Sequence, residues 1–269
     1  MTKDAIFSAS DGCRIAYTLH AAPRMGAPRF ALIHSLALDR SVWNGVIDRL
    51  GAFAEILTYD CRGHGRSGRP AMDFTAELFA SDLAELLDHI GWVAAFVGGC
   101  SMGGCVAQAF AGLHPNRAKG LVLIDTTAWY GAEAPKQFRE RAAAAKAKGM
   151  AGLIDFQVTR WFSDGFRANH SERVKEVTRI FLANDFPCYA ASCALLGDAD
   201  LRHYASAFRM PVAVIVGEED FATPVAMAKS LHEAIPQSTL RVIKGGRHLT
   251  PIECPEDIAR ELIALTERR

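Results

Sequence analysis

Five short, largely apolar runs recur along this chain, and they restrict its fold more than any other feature: residues 30–34 (FALIH), 56–59 (ILTY), 94–97 (AAFV), 120–124 (GLVLI) and 212–216 (VAVIV). They do not alternate polar with apolar residues, so each reads as a strand buried on both faces. Residues 5–8 and 14–20 flank the turn signal Asp11-Gly12 and read as a leading pair of strands. Residues 240–243 (LRVI) form a weaker last strand. Helical patterns separate the runs at 41–50, 76–90, 102–113, 225–235 and 255–266. In the second, Leu78, Phe79, Leu83, Leu86, Leu87 and Ile90 share one face. Ser41 is the expected cap of the first, and Pro255 suits the first turn of the last. Strand and helix in alternation imply an α/β fold, with a mostly parallel central sheet and helices on both faces.

The alternation breaks after residue 124. Residues 126–210 hold no convincing buried strand, and the composition shifts to helix formers such as RERAAAAKAK at 139–148. The expectation is a core domain made of residues 1–128 and 206–269, with residues 129–205 inserted after the sixth strand as a helical cap, or lid, over the sheet's carboxyl edge. A charge-free stretch, residues 92–113, is long enough to cross a bilayer. It carries GGCSMGG at its centre, however, and reads better as a buried strand, a sharp turn and a buried helix.

Charge and cysteine usage narrow the functional classes. Thirty basic residues balance thirty acidic ones among 269, which leaves no basic excess for nucleic acid or an anionic membrane. The seven cysteines form no CxxC pair and no cluster with zinc spacing. An odd cysteine count and an N-terminus without an apolar signal core point to free thiols in the cytoplasm. No metal or organic cofactor is expected, and the chain is read as a monomer or homodimer.

The chemistry concentrates at the ends of the buried strands. Gly99-Cys100-Ser101-Met102-Gly103 fits G-x-S-x-G between a strand and a helix, a turn that exposes a serine hydroxyl above the sheet edge. Cys100 and Cys105 read as core residues. A serine needs a base to remove its proton, and the base needs a carboxylate to fix its tautomer. Asp220 follows the strand at 212–216 and is the expected acid; Asp125, at the end of a neighbouring strand, is the second candidate. Glu218 and Glu219 read as solvated turn residues. His248, on the glycine-bearing loop after the last strand, is the expected base. The developing oxyanion needs backbone donors. Met102 is one, and the second comes from the loop after residues 30–34, from Leu36 or, nearly as well placed, Ser35. The side chains of His34 and Ser35 either brace that loop or meet the substrate. The loop at 60–67 (DCRGHGRS) reads as a structural anchor for the nucleophile turn, not as a source of catalytic groups.

These motifs resemble the α/β-hydrolase superfamily over nearly the whole chain, and within it most closely the 3-oxoadipate enol-lactonases. The resemblance is carried by HSLALDRSVW at 34–43, YDCRGHGRS at 59–67, GCSMGG at 99–104, LIDTTAWYG at 123–131, TRWFSDGFR at 159–167, CALLGDADLR at 193–202 and GRHLTPIECPE at 246–256. It implies an α/β-hydrolase fold and cleavage of a small, carboxylate-bearing lactone or ester through an acyl-enzyme. It also implies that Trp129, Arg160 and Trp161 face the substrate pocket, with the arginine paired to a substrate carboxylate. The alternative for the last two is a surface ion pair for Arg160 and a place in the cap core for Trp161. The lactonases carry Asn-Ser-Leu-Gly where this chain has His34-Ser35-Leu36-Ala37, and Ser-Asn-Val-Glu where it has Thr250-Pro251-Ile252-Glu253. Two other functions use the same fold: carbon–carbon hydrolysis of a ring-cleavage dienoate, and ligand binding without turnover.

Overall fold

The computed structural model describes residues 2–22 and 24–268. Its strands are β1 (Thr2–Ser8), β2 (Arg14–His20), β3 (Arg29–Ile33), β4 (Glu55–Tyr59), β5 (Ala95–Cys100), β6 (Ala118–Ile124), β7 (Val212–Gly217) and β8 (Thr239–Ile243). They form one sheet in the order β1-β2-β4-β3-β5-β6-β7-β8. β2 is antiparallel to both β1 and β4, and every other pairing is parallel. The sequence therefore folds as an α/β hydrolase. The apolar runs occupy the middle of the sheet, where both faces are covered. β1, at the edge, is almost wholly exposed or half-buried, and its polar opening Thr2-Lys3-Asp4 extends the strand beyond the apolar residues that mark it in the sequence.

The helices between strands are α1 (Asn44–Leu50), α2 (Ala76–His89) and α3 (Met102–Leu113). Thr75 caps α2 by accepting from the Leu78 N–H. The expected cap at Ser41 is replaced by Asp39, whose carboxylate accepts from the Ser41 N–H at 3.0 Å. A carboxylate held here also bonds the Ser41 hydroxyl, so the serine becomes a partner of the cap and Arg40–Trp43 winds as a 3-10 turn ahead of α1.

Six helices follow β6 before β7: α4 (Ala134–Lys148), α5 (Ile154–Trp161), α6 (Asp164–Asn169), α7 (Ser171–Leu182), α8 (Phe186–Asp198) and the short α9 (Arg202–Ala205). α4 lies along α8. Arg247 ties this helical segment to the sheet: its guanidinium donates to the carbonyls of Thr159 and Phe162 at 2.8 and 3.0 Å and pairs with Glu219 and Asp164. The chain ends with α10 (Val225–Ala234), the one-turn α11 (Thr250–Glu253) and α12 (Pro255–Thr266), which packs against α1. Residues 92–113 divide into β5 and α3, and among the described residues no single helix is long and apolar enough to cross a membrane.

Candidate active site

Ser101 occupies the bend between β5 and α3 with φ 55° and ψ −115°, a left-handed backbone that a side chain rarely adopts. Such a residue costs of order 1–3 kcal/mol and persists only where its surroundings over-determine it. They do so here. The Ser101 N–H donates to the Ile124 carbonyl at 2.9 Å, and its own carbonyl accepts from the Gly104 N–H and from the Thr126 hydroxyl. The bend also requires two glycines: a Cβ at Gly99 would stand 2.0 Å from the Gly103 carbonyl oxygen, and one at Gly103 would stand 2.2 Å from that of Ile33. The glycines of the motif therefore let three backbone segments touch.

The hydroxyl so presented meets two groups from distant parts of the chain. His248 Nε2 lies 3.0 Å from Ser101 Oγ, and His248 Nδ1 lies 2.8 Å from Asp220 Oδ2. All three side chains are buried. Asp220 also accepts from the Ala222 and Thr223 N–H groups at Oδ1 and from the Thr223 hydroxyl at Oδ2. Burial alone would raise its pKa. Attraction to the His248 imidazole when it is protonated, its hydrogen bond, and the two Thr223 donors overcome that and hold the carboxyl below its ordinary range. Asp220 is therefore an anion placed to fix the Nδ1–H tautomer, which leaves a lone pair on Nε2 toward Ser101.

Asp125 is otherwise engaged. Its carboxylate accepts from the Gly217 N–H, the Thr250 N–H and the Thr250 hydroxyl, which joins the end of β6 to the end of β7 and to α11. Burial and the nearby Asp220 charge push its pKa well above the ordinary value. Cys100 and Cys105 are fully buried, and burial raises both thiols.

The remaining motif residues build the rim. His34 donates from Nδ1 to the Ser35 carbonyl and accepts the Cys61 N–H at Nε2, so its ring braces the loop after β3 against the loop after β4. Arg62 is directed away from Ser101 into pairs with Asp82 and Asp11. Asp60 accepts from the N–H groups of Arg40 and Arg66. Leu36 and Ser35 line the cavity above Ser101. Among the described residues, the N–H groups of Leu36 and Met102 have no acceptor, which leaves both free for a ligand.

That cavity has a volume of about 410 Å³ and is roofed by the helices after β6. One stripe of α5 and the turn before it faces it: Leu153, Phe156, Gln157, Arg160 and Trp161, at helical spacings of three and four. Trp161 is buried there and stacks edge-on against Phe181, so it serves both the cavity wall and the helical core. Arg160 stands over the Phe156 ring and donates to the Phe221 carbonyl at 3.3 Å. Trp129 does not line this cavity. It borders a separate depression near α10, where the Arg202 guanidinium covers its ring at 3.9 Å. The neighbouring Tyr130 takes the position in the cavity wall instead.

Sequence reasoning missed Arg141, Gln157 and Tyr130. Arg141, on α4, reaches the cavity and donates to the Tyr189 hydroxyl. Neither Arg141 nor Arg160 has a carboxylate within ion-pairing distance among the described residues. Burial and the Arg141 charge both push the Arg160 pKa down. Gln157 is buried with an unpartnered Nε2. Two cations and an unmatched amide donor thus surround a space in which an anion would relieve all three. The stripe on α5 was the available signal, because a glutamine and an arginine interrupt an otherwise apolar helical face.

Comparison with known proteins places the chain among relatives. The family model for the alpha/beta hydrolase fold matches residues 28–255. A 3-oxoadipate enol-lactonase of Acinetobacter baylyi is 32% identical over 244 residues, 90% of each chain. The crystal structure of the enol-lactonase from Burkholderia xenovorans superposes with a TM-score of 0.93 at 28% identity, over 98% of this chain and 100% of that one. A thermophilic esterase from Thermogutta terrifontis, solved with malate bound, superposes with a TM-score of 0.90 at 27% identity, covering 98% of both chains.

Proposed function

Since the chain belongs to the alpha/beta hydrolase fold family, we propose that it is a serine hydrolase of small lactones or carboxylic esters that bear a carboxylate, acting through an acyl-enzyme. The observation that carries this reading is the relay from Asp220 through His248 to Ser101, opening into a cavity lined by two arginines, Arg141 and Arg160, that have no carboxylate partner among the described residues. Ser101 Oγ attacks the carbonyl carbon while His248 Nε2 takes its proton. The N–H groups of Met102 and Leu36 hold the oxyanion. As the tetrahedral intermediate collapses, the alkoxide or enolate leaves with the proton from His248. Water, deprotonated by the same imidazole, then releases the acid and restores Ser101.

Arg160 and Arg141 bind the substrate's carboxylate, assisted by Gln157, with Ser35 and Trp161 forming the walls around it. The enol-lactonase relatives support a ring ester as the substrate class. We treat residues 129–205 as the cap that closes this cavity, on a core of residues 1–128 and 206–269. The seven cysteines are all free, which supports assignment to the cytoplasm.

A spectrophotometric panel tests the reading: an enol-lactone, simple lactones, short nitrophenyl esters with and without a terminal carboxylate, and a dienoate. Turnover should be fastest on the carboxylate-bearing esters or lactones. Arg160→Met should raise KM for these by roughly ten- to a hundred-fold, the value of a hydrogen-bonded charge pair, and leave neutral esters within a factor of about three. Equal effects on charged and neutral substrates would remove the anion-binding role, and turnover of the dienoate alone would replace the ester reading.

A further inference from the structure

Tyr130 lies in the loop after β6, with its ring edge-on to Phe138 of α4 at a centroid distance of 5.3 Å and an interplanar angle of 84°. Tyr130 forms part of the wall of the cavity that holds Ser101. The hydroxyl lies beside the Ser101 side chain and the Cys105 thiol, yet forms no well-made hydrogen bond to either. It is buried and, among the described residues, without a partner. A buried hydroxyl in that condition destabilises a fold, and a group retained so is explained when its partner arrives with a ligand.

The order of the sheet shows which part of the ligand it meets. Leu36, a donor for the oxyanion, follows β3, on one flank of β5. Tyr130 follows β6, on the other flank, the side from which Asp220 and His248 also come after β7 and β8. The oxyanion and the leaving oxygen project to different sides of the tetrahedral carbon, and His248 must face the leaving oxygen to protonate it.

We propose that Tyr130 is a further catalytic residue, whose O–H donates a hydrogen bond to the leaving oxygen of the ester or lactone as its bond to carbon breaks. This rests on the hydrolase reading above. The carbon–oxygen bond breaks, its electron pair passes to the leaving oxygen, and that oxygen takes its proton from the His248 imidazolium. Tyr130 keeps its own proton and shares it only as a hydrogen bond. Burial raises the phenol's pKa well above the ordinary range, so it remains a neutral donor.

Tyr130→Phe deletes the hydroxyl and keeps the ring. The test measures kcat/KM on acetate esters of rising leaving-group basicity, p-nitrophenyl, phenyl and ethyl, for the parent protein, Tyr130→Phe and Ser101→Ala. The p-nitrophenyl ester should stay within a factor of about three in Tyr130→Phe, because a leaving group that stabilises its own charge needs no donor. The ethyl ester should lose roughly ten- to a hundred-fold, as for loss of one aimed donor. The melting temperature should hold or rise, since an unpartnered group has been removed. An equal loss on all three esters, no loss on any, or a lower melting temperature would each overturn the proposal. Ser101→Ala separates this from the underlying reading: if it retains turnover, the nucleophile is misassigned, whereas an inactive Ser101→Ala with a uniform Tyr130→Phe profile discards only the role of Tyr130.

Discussion

Replacing Asp220 by Asn should abolish most of the activity through a tautomer change, and the structure shows how. Oδ1 of Asp220 accepts two backbone N–H groups, from Ala222 and Thr223, so the amide oxygen of an asparagine must take that place. Its NH2 group then occupies the position of Oδ2, facing His248 Nδ1 at 2.8 Å and the Thr223 hydroxyl. The hydroxyl can rotate to accept; the imidazole can accept only by moving its proton to Nε2. That nitrogen then directs a proton at Ser101 Oγ, 3.0 Å away, and cannot remove one. By analogy with the same change in a serine protease, kcat should fall on the order of 10⁴-fold, about 5.5 kcal/mol in the barrier. Asp125→Asn is the matched control, because that carboxylate is bonded to Gly217 and Thr250 and makes no hydrogen bond to Ser101, His248 or Asp220. It should leave one of the buried N–H groups of Gly217 or Thr250 unpaired, cost about 1–3 kcal/mol of stability, and lower kcat far less. The assay is nitrophenyl acetate hydrolysis beside thermal unfolding, with imidazole nitrogen NMR to identify the His248 tautomer. A loss under tenfold in Asp220→Asn, or a greater loss in Asp125→Asn than in Asp220→Asn, would refute the reasoning.

Two further outcomes concern the scaffold. Burial pushes His34 down to about 4 and, with the neighbouring His34 adding to it, His64 down to about 3, while the unfolded chain titrates near 6.5. Native imidazoles that stay neutral while unfolded ones bind protons make stability fall as pH drops below about 6.5, and the loss accumulates down to those lower values. The melting temperature should therefore decline between pH 7 and pH 5 more steeply in the parent than in His64→Gln, and parallel curves would contradict this. Gly103→Ala forces a Cβ to 2.2 Å from the Ile33 carbonyl, a rigid backbone atom, so its cost should exceed the ~1–3 kcal/mol of ordinary overpacking. A soluble variant with an unchanged melting temperature would show that the bend at Ser101 has more room than the structure gives it.

How legible these features are in the sequence follows from where each is decided. The central strands can be read because a strand covered on both faces has no polar positions, as in residues 212–216. β1 is partly hidden because an edge strand can begin with Thr2-Lys3-Asp4, and α11 is hidden because one turn containing Pro251 has no period to detect. Ser101, Asp220 and His248 can be placed because each follows a recognisable strand at the same edge of the sheet, so chain order substitutes for distance. The cavity wall is less legible. Whether Arg141 faces solvent or substrate depends on how α4 settles over the sheet, and that is decided by contacts with α8 far along the chain. The exchange of Trp129 for Tyr130 is a one-residue matter of the same kind: Trp129 is paired to Asp200 and covered by Arg202, while its neighbour Tyr130 reaches the wall of the cavity above Ser101.

The central claim is that a serine hydroxyl, and no other group, becomes acylated. Treatment with an organophosphate ester, followed by intact-mass measurement and peptide mapping, tests it most directly. A single phosphoryl adduct on the peptide containing Ser101, rising in step with loss of esterase activity and absent from Ser101→Ala, is the result expected. Inactivation with the adduct on another residue, or continued turnover by fully labelled protein, would contradict it.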